Sequence, residues 1–169
     1  MFPFSQRPQP QSILSVRGVA TTEPALLERA VNGPVKPAEI ITVFQEYSAE
    51  DIAYELESWW DLWTFDGDWK LAPARVELAC FSPAFDSGTG REQGEQEDLR
   101  IEFGVDTYFL PQPELTGSAR LVESNIKSLL RLVHELDSAL AVERRKLETE
   151  SGENFADRLQ EVLTSVRPN

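Results

Sequence analysis

The sequence predicts an α+β fold: a small antiparallel or mixed sheet, helices on one face, and a C-terminal antiparallel helical hairpin. Three patterns predict it. Val122, Ile126, Leu129, Val133, Leu136 and Leu140 follow one another at spacings of 4, 3, 4, 3 and 4, which places them on one helical stripe. Phe155, Leu159, Val162 and Val166 repeat that rhythm beyond Ser151-Gly152, as the second arm of a hairpin would. Between residues 99 and 109, Leu99, Ile101, Phe103, Val105, Thr107 and Phe109 alternate with polar neighbours, the period of a half-buried strand.

Taken in order, the elements read βαβαββαα. Residues 1–12 hold Pro3, Pro8 and Pro10 and read as a flexible, extended Pro-rich tail ahead of a single domain spanning 13–169. Ile13, Leu14, Val16 and Val19 suggest a first strand. Thr21 or Thr22 caps a short helix opened by Pro24, carrying Leu26, Leu27 and Ala30, and stopped by Asn32-Gly33-Pro34. Ile40, Ile41, Val43 and Phe44 form the second strand. Ser48-Ala49-Glu50-Asp51 has the form of a capping box, which opens a helix from Ala49 to about Trp63. Ile52, Leu56, Trp59, Trp60 and Trp63 fall on its inner side, and Glu50, Glu57 and Asp61 on its outer side. Phe65-Asp66-Gly67-Asp68 turns the chain into a third strand around Val76, Leu78 and Cys80. Paired antiparallel with the fourth, this strand sets Arg75 and Arg100 against Glu102 and Glu77. Residues 84–98, rich in glycine and glutamate, read as a mobile acidic loop. Pro111 and Pro113 precede the long helix, about Ala119 to Glu150, whose apolar arc is widened by Leu121, Leu130, Leu132 and Ala139.

Composition narrows the function classes. With 41% hydrophobic residues, the 169-residue chain can bury a core. Its formal net charge of -13 repels phosphate backbones and anionic head groups, so neither nucleic acid nor membrane is expected as a ligand. No stretch has the apolar length of a membrane span, and the N-terminus lacks the basic start and apolar run of a signal peptide. A single cysteine fits a reducing compartment, and the cytoplasm is the expected location.

Catalytic patterns are scarce. His134 and Cys80, each the only residue of its kind, would have to be brought together to form a nucleophile–base pair, and Cys80 is in phase with the apolar Val76 and Leu78. One histidine and one cysteine cannot supply the ordinary zinc ligand sets. Asp61, Asp66 and Asp68 beside Gly67 evoke a calcium loop, but Leu62 and Thr64 occupy two positions where that loop needs acids. No phosphate-binding glycine loop or nucleophile elbow occurs, so no catalytic residue, metal or cofactor is assigned.

The four tryptophans, Trp59, Trp60, Trp63 and Trp69, crowd into 11 positions, where indole can fill a core or anchor an interface. The expectation is a non-enzymatic, acidic protein-binding module of inhibitor, immunity, chaperone or adaptor type. It would meet a basic protein partner through Glu50, Glu57, Asp61, Trp60 and Trp69. The competing expectation is a small-ligand-binding protein or hydrolase-like enzyme with a Trp-lined cleft and a carboxylate acid/base such as Asp61 or Asp66. The heptad stripe also suits a homodimer through the helix 119–150.

Overall fold

A computed structural model of the chain describes residues 5, 7, 9–88 and 97–165. It is α+β, with the order ββαβββαα. The strands are β1 (Ser12–Gly18), β2 (Ala25–Val31), β3 (Ile52–Asp66), β4 (Asp68–Phe81) and β5 (Leu99–Glu102). The helices are α1 (Pro37–Glu46), α2 (Ser118–Ala139) and α3 (Phe155–Ser165). The strands form one antiparallel sheet in the order β2-β1-β3-β4-β5. Among the described residues no helix is long and apolar enough to cross a membrane.

The chain falls into two compact units. One runs through Asp61 and resumes from Pro73 to Gly104; the other holds Leu62 to Ala72 and the chain from Val105 onward. β3 and β4 run through both.

In the first unit the sheet has an inner face and an outer face. Leu14, Val16, Ile52 and Leu56 point inward and pack with Ile40 and Val43 of α1 and with Val31 of β2. The β1–β3 register pairs Leu14 with Leu56 and Val16 with Tyr54, which keeps apolar residues on this face. Tyr54 also finishes α1. Its hydroxyl donates to the carbonyls of Phe44 (3.2 Å) and Tyr47 (2.7 Å), groups left without intrahelical partners at a helix end, and its ring stacks on Phe44 at 4.0 Å.

Three sequence expectations are reversed here. The expected helix 49–63 is strand β3, preceded by a turn at Ser48–Asp51. Ile52, Leu56 and Trp60 are four apart, a spacing that satisfies both the helical and the strand period; the even positions 52, 54, 56, 58, 60 and 62 in fact share the inner face. The expected strand at 40–44 is helix α1. Pro37 in its first turn and Glu39 behind it are ordinary helix-start signals, and Ile40 and Val43, three apart, are buried while Ile41 is exposed. The expected helix at 24–30 is β2. Its residues have helical propensity, but pairing with β1 from Ser12↔Val31 to Val16↔Leu27 overrides it.

The expected loop 84–98 is anchored where it is described. Phe85 is 3% exposed and packs with Ala53, Ala79 and Phe81, and Asp86 exchanges main-chain bonds with Val19 (2.8 Å) and Thr21 (3.1 Å). Residues 89–96 lie outside the described residues. The first twelve residues are described in part, and Ser5 among them donates its N–H to the carbonyl of Trp59 at 2.7 Å.

β5 ends at Glu102, well short of the expected Phe109. Gly104 takes φ +83°, and Asp106–Tyr108 form a 3-10 turn. The β4–β5 pairing is antiparallel as expected, but its register sets Glu77 opposite Glu102 and Ala79 opposite Arg100. Arg75 and Arg100 therefore reach glutamates on their own strands, Glu77 at 3.0 Å and Glu102 at 3.8 Å.

In the second unit, α2 stops at Ala139 instead of Glu150. Beyond Leu136 the stripe continues with Leu140, which is exposed, and then Glu143; propensity without burial does not extend a helix. The turn at Ser151-Gly152 closes two extended segments, bonded from Thr149 N–H to Glu153 and from Phe155 N–H to Leu147, and does not join two helices. The buried line on α2 is Ser118, Val122, Asn125, Leu129 and Leu132, rotated from the expected stripe so that Asn125 and Leu132 take the inner places of Ile126 and Val133.

Candidate functional site

Strand alternation builds the outer face of the sheet in the first unit. Odd positions of β3 put Glu55, Glu57, Trp59 and Asp61 there. The register of β4 and β5 adds Arg75, Glu77, Arg100 and Glu102, and β1 adds Arg17. Arg17 Nε donates to Glu55 at 2.9 Å and its Nη1 to the carbonyl of Glu23 at 2.9 Å. Arg75 bridges Glu57 on β3 (2.7 Å) and Glu77 on its own strand (3.0 Å). Arg100 donates twice to Glu97, at 2.6 and 3.0 Å, and lies over the Phe81 ring at 5.0 Å from its centroid. The hydrogen bond to Glu97 is the largest influence raising the basicity of Arg100.

The acids outweigh these cations. Glu77 shows the consequence: burial first, then the neighbouring carboxylates Glu102, Glu55 and Glu57, push its carboxyl above the ordinary value, against the pull of Arg75. Like charges directly opposite across a sheet are unfavourable, and Glu77 faces Glu102 in that way.

At the far end of this face Asp61 accepts the hydroxyl of Ser5 at 2.7 Å and pairs with Arg7 at 3.4 Å. β1 pairs with β3 only over Ile52–Glu57, with Ser12 and Ser58 hydroxyls 3.1 Å apart just beyond; Ser5 meets β3 next, at Trp59.

The five residues expected to bind a partner separate. Glu57 and Asp61 lie on the outer face. Glu50 is in the turn before β3, its side chain exposed and its carbonyl accepting the Ala84 N–H at 2.8 Å. Trp60 points to the opposite face, 4% exposed, with its ring 5.1 Å from Phe103. Trp69 belongs to the second unit, where its indole N–H donates to the Thr116 carbonyl at 3.0 Å and its ring meets Phe65 edge-on at 5.4 Å. Alternation also parts Trp59 and Trp63 from Trp60, so the indoles of β3 do not line one surface. Glu55, Glu77 and Glu102 were missed as a group with Glu57. The spacing of Glu55 and Glu57, two apart, was the available signal, and the helical reading of this segment hid it.

Elsewhere, burial raises the Cys80 thiol above its ordinary value, as befits a cysteine packed like a hydrophobe. His134 is exposed on α2. Asp66 binds Lys70 at 2.7 Å, and that hydrogen bond holds its carboxyl below the usual range. Among the described residues, no group of three or more histidine, cysteine, aspartate and glutamate side chains is placed to hold a metal ion. Comparison with known protein families, with curated proteins and with solved structures finds no match.

Proposed function

We propose that this protein is a non-enzymatic binding module that captures a basic protein partner on the outer face of its sheet. The observation that carries the reading is the row of Glu55, Glu57, Glu77 and Glu102 across three strands, with Glu77 and Glu102 directly opposed and Glu77 harder to ionise than an ordinary glutamate. Among the described residues the arginines near this row are shared: Arg75 between Glu57 and Glu77, Arg17 between Glu55 and a carbonyl, and Arg100 between Glu97 and, at 3.8 Å, Glu102. Lysines or arginines of a partner would relieve the repulsion, and the -13 net charge would steer them in.

The test begins with recovery of the partner from the native host by pull-down and mass spectrometry. Binding kinetics then compare wild type with Glu77→Lys/Glu102→Lys at low and physiological salt. Association should slow about ten-fold or more at low salt and lose most of its salt dependence, because charges on an open surface act chiefly on the on-rate. Unchanged kinetics would rule out this face as the interface.

A further inference from the structure

We propose that Val19 and Leu26, at the corner of the sheet just past the end of β1, form an apolar anchor for the basic partner, receiving an aliphatic side chain that stands between lysines or arginines. The proposal rests on the reading above for the charge of the partner and adds the place where its apolar residues dock.

Val19 takes φ +69°, a conformation that a β-branched side chain disfavours. The Ala20 N–H donates to the Gly18 carbonyl at 2.8 Å and closes a three-residue turn around Val19, of the strained kind. Both main-chain groups of Val19 are tied to other loops: its N–H donates to the Asp51 carbonyl at 2.7 Å, and its carbonyl accepts the Asp86 N–H at 2.8 Å. The fold therefore imposes the conformation. Glycine would take this turn without steric strain, whereas the valine side chain is 58% exposed and recovers little by burial. A side chain that strains the fold and is left in water serves a contact outside the fold.

Leu26 stands beside it. A Cβ at Gly18 would lie 3.2 Å from Leu26 Cδ1, so the missing side chain there leaves room for Leu26 to lean over β1 next to Val19. The β1–β2 register passes from Val16↔Leu27 to Arg17↔Ala25 and skips Leu26, the kind of irregularity that re-aims a side chain. Leu26 is 59% exposed, and the two are the most exposed large apolar side chains among the described residues. Acids surround them. Asp51 and Asp86 are the residues bonded to Val19, exposed Glu50 precedes Asp51, and the Glu23 N–H donates to the Ala20 carbonyl at 3.2 Å. Arg17, bonded to Glu55 and to the Glu23 carbonyl, connects this corner to the acidic row. An apolar centre inside a charged rim is the arrangement of an interface hot spot, and an acidic rim selects a cationic occupant.

The probes are two synthetic peptides, Lys-Lys-Leu-Leu-Lys-Lys and Lys-Lys-Ala-Ala-Lys-Lys, titrated into the full chain while its methyl NMR signals are followed. The leucine peptide should shift the Val19 and Leu26 methyl signals and bind about five-fold more tightly than the alanine peptide at physiological salt, as partial burial of the added methyl groups requires. Val19→Gly should cancel that preference while melting no lower than wild type, because it relieves the turn. Leu26→Ser, which leaves the turn untouched, should weaken the same preference. Equal binding of the two peptides, or a leucine preference that survives both substitutions, would overturn the proposal.

A melting midpoint for Val19→Gly more than about 5 °C below wild type would overturn it equally, since the valine would then be serving the fold. The two readings fail separately. Partner kinetics that respond to Glu77→Lys/Glu102→Lys, with both peptides binding alike, remove the anchor alone. A leucine preference seated at Val19 and Leu26, with partner kinetics indifferent to those reversals, removes the acidic face alone.

Discussion

Asn125 does the work of a neighbouring strand. In the second unit β3 presents the backbone of Trp63, and the Asn125 amide satisfies both of its polar groups: Oδ1 accepts the Trp63 N–H at 2.9 Å and Nδ2 donates to the Trp63 carbonyl at 2.9 Å. The same Nδ2 reaches the Tyr108 carbonyl at 2.8 Å, and the side chain is 2% exposed. A carboxamide has the donor and acceptor of a peptide group, which is why a single residue can close this edge. Asn125→Leu keeps roughly the volume and strands three partly buried backbone groups. It should cost about 2 to 4 kcal/mol in urea unfolding, since one unsatisfied buried group costs about 1 to 3 kcal/mol and relaxation recovers part of the sum. A loss under about 0.5 kcal/mol would show that the clamp is ornamental. Nothing in the heptad rhythm announced it, because a lone asparagine between Val122 and Leu129 looks like a polar interruption until its partners are known.

At the scale of elements, α2 illustrates how a periodic stripe fixes a helix but leaves its rotation open. The sequence pattern centred the buried line on Ile126, Leu129 and Val133; packing centres it on Val122, Asn125, Leu129 and Leu132. Leu132 is 4% exposed, whereas Leu130, two positions away, is 55% exposed. Leu132→Ala should therefore cost about 2 to 5 kcal/mol and Leu130→Ala less than about 0.5 kcal/mol. Chemical denaturation of the two variants side by side checks this. Comparable losses would place the buried line elsewhere, and loss of a dimer without loss of monomer stability would assign the stripe to a second copy. The shorter helix has the same origin, because past Leu136 the pattern persists on paper while burial does not.

For the whole molecule, charge is the dominant global fact. Twenty-nine acidic residues against sixteen basic ones give the -13 balance, and the sheet concentrates part of that excess on one face. Glu77 reports on it, being raised by burial and by carboxylates from neighbouring strands. A carboxyl whose folded pKa lies above its unfolded one ionises at a cost to the fold, so its contribution is fully present below the unfolded value and is lost as pH rises through the folded value. Glu77→Gln should therefore raise the thermal midpoint at pH 7 relative to wild type, and the advantage should shrink as pH falls into and below the ordinary glutamate range. Calorimetry at several pH values gives the answer. A variant less stable at pH 7 would mean that the ion pair with Arg75 outweighs burial and repulsion.

What the sequence determined by itself was the class of the fold, the β4–β5 antiparallel pair, the existence of α2 and α3, and the acidity that frames any function. These depend on composition and on long, unambiguous periodicity, which survive without knowledge of neighbours. Tertiary structure alone decided that residues 52–66 are a strand, that 37–46 are a helix, and that the carboxylates of β3 join those of β4 and β5. Spacings of four serve both periods, so Ile52, Leu56 and Trp60 could not choose between helix and strand. The choice came from partners outside the segment: the remote β1 on one edge of β3, β4 on the other, and α1 against its inner face. The same remoteness hid the Ser5–Asp61 contact, fifty-six residues apart, which no local pattern encodes.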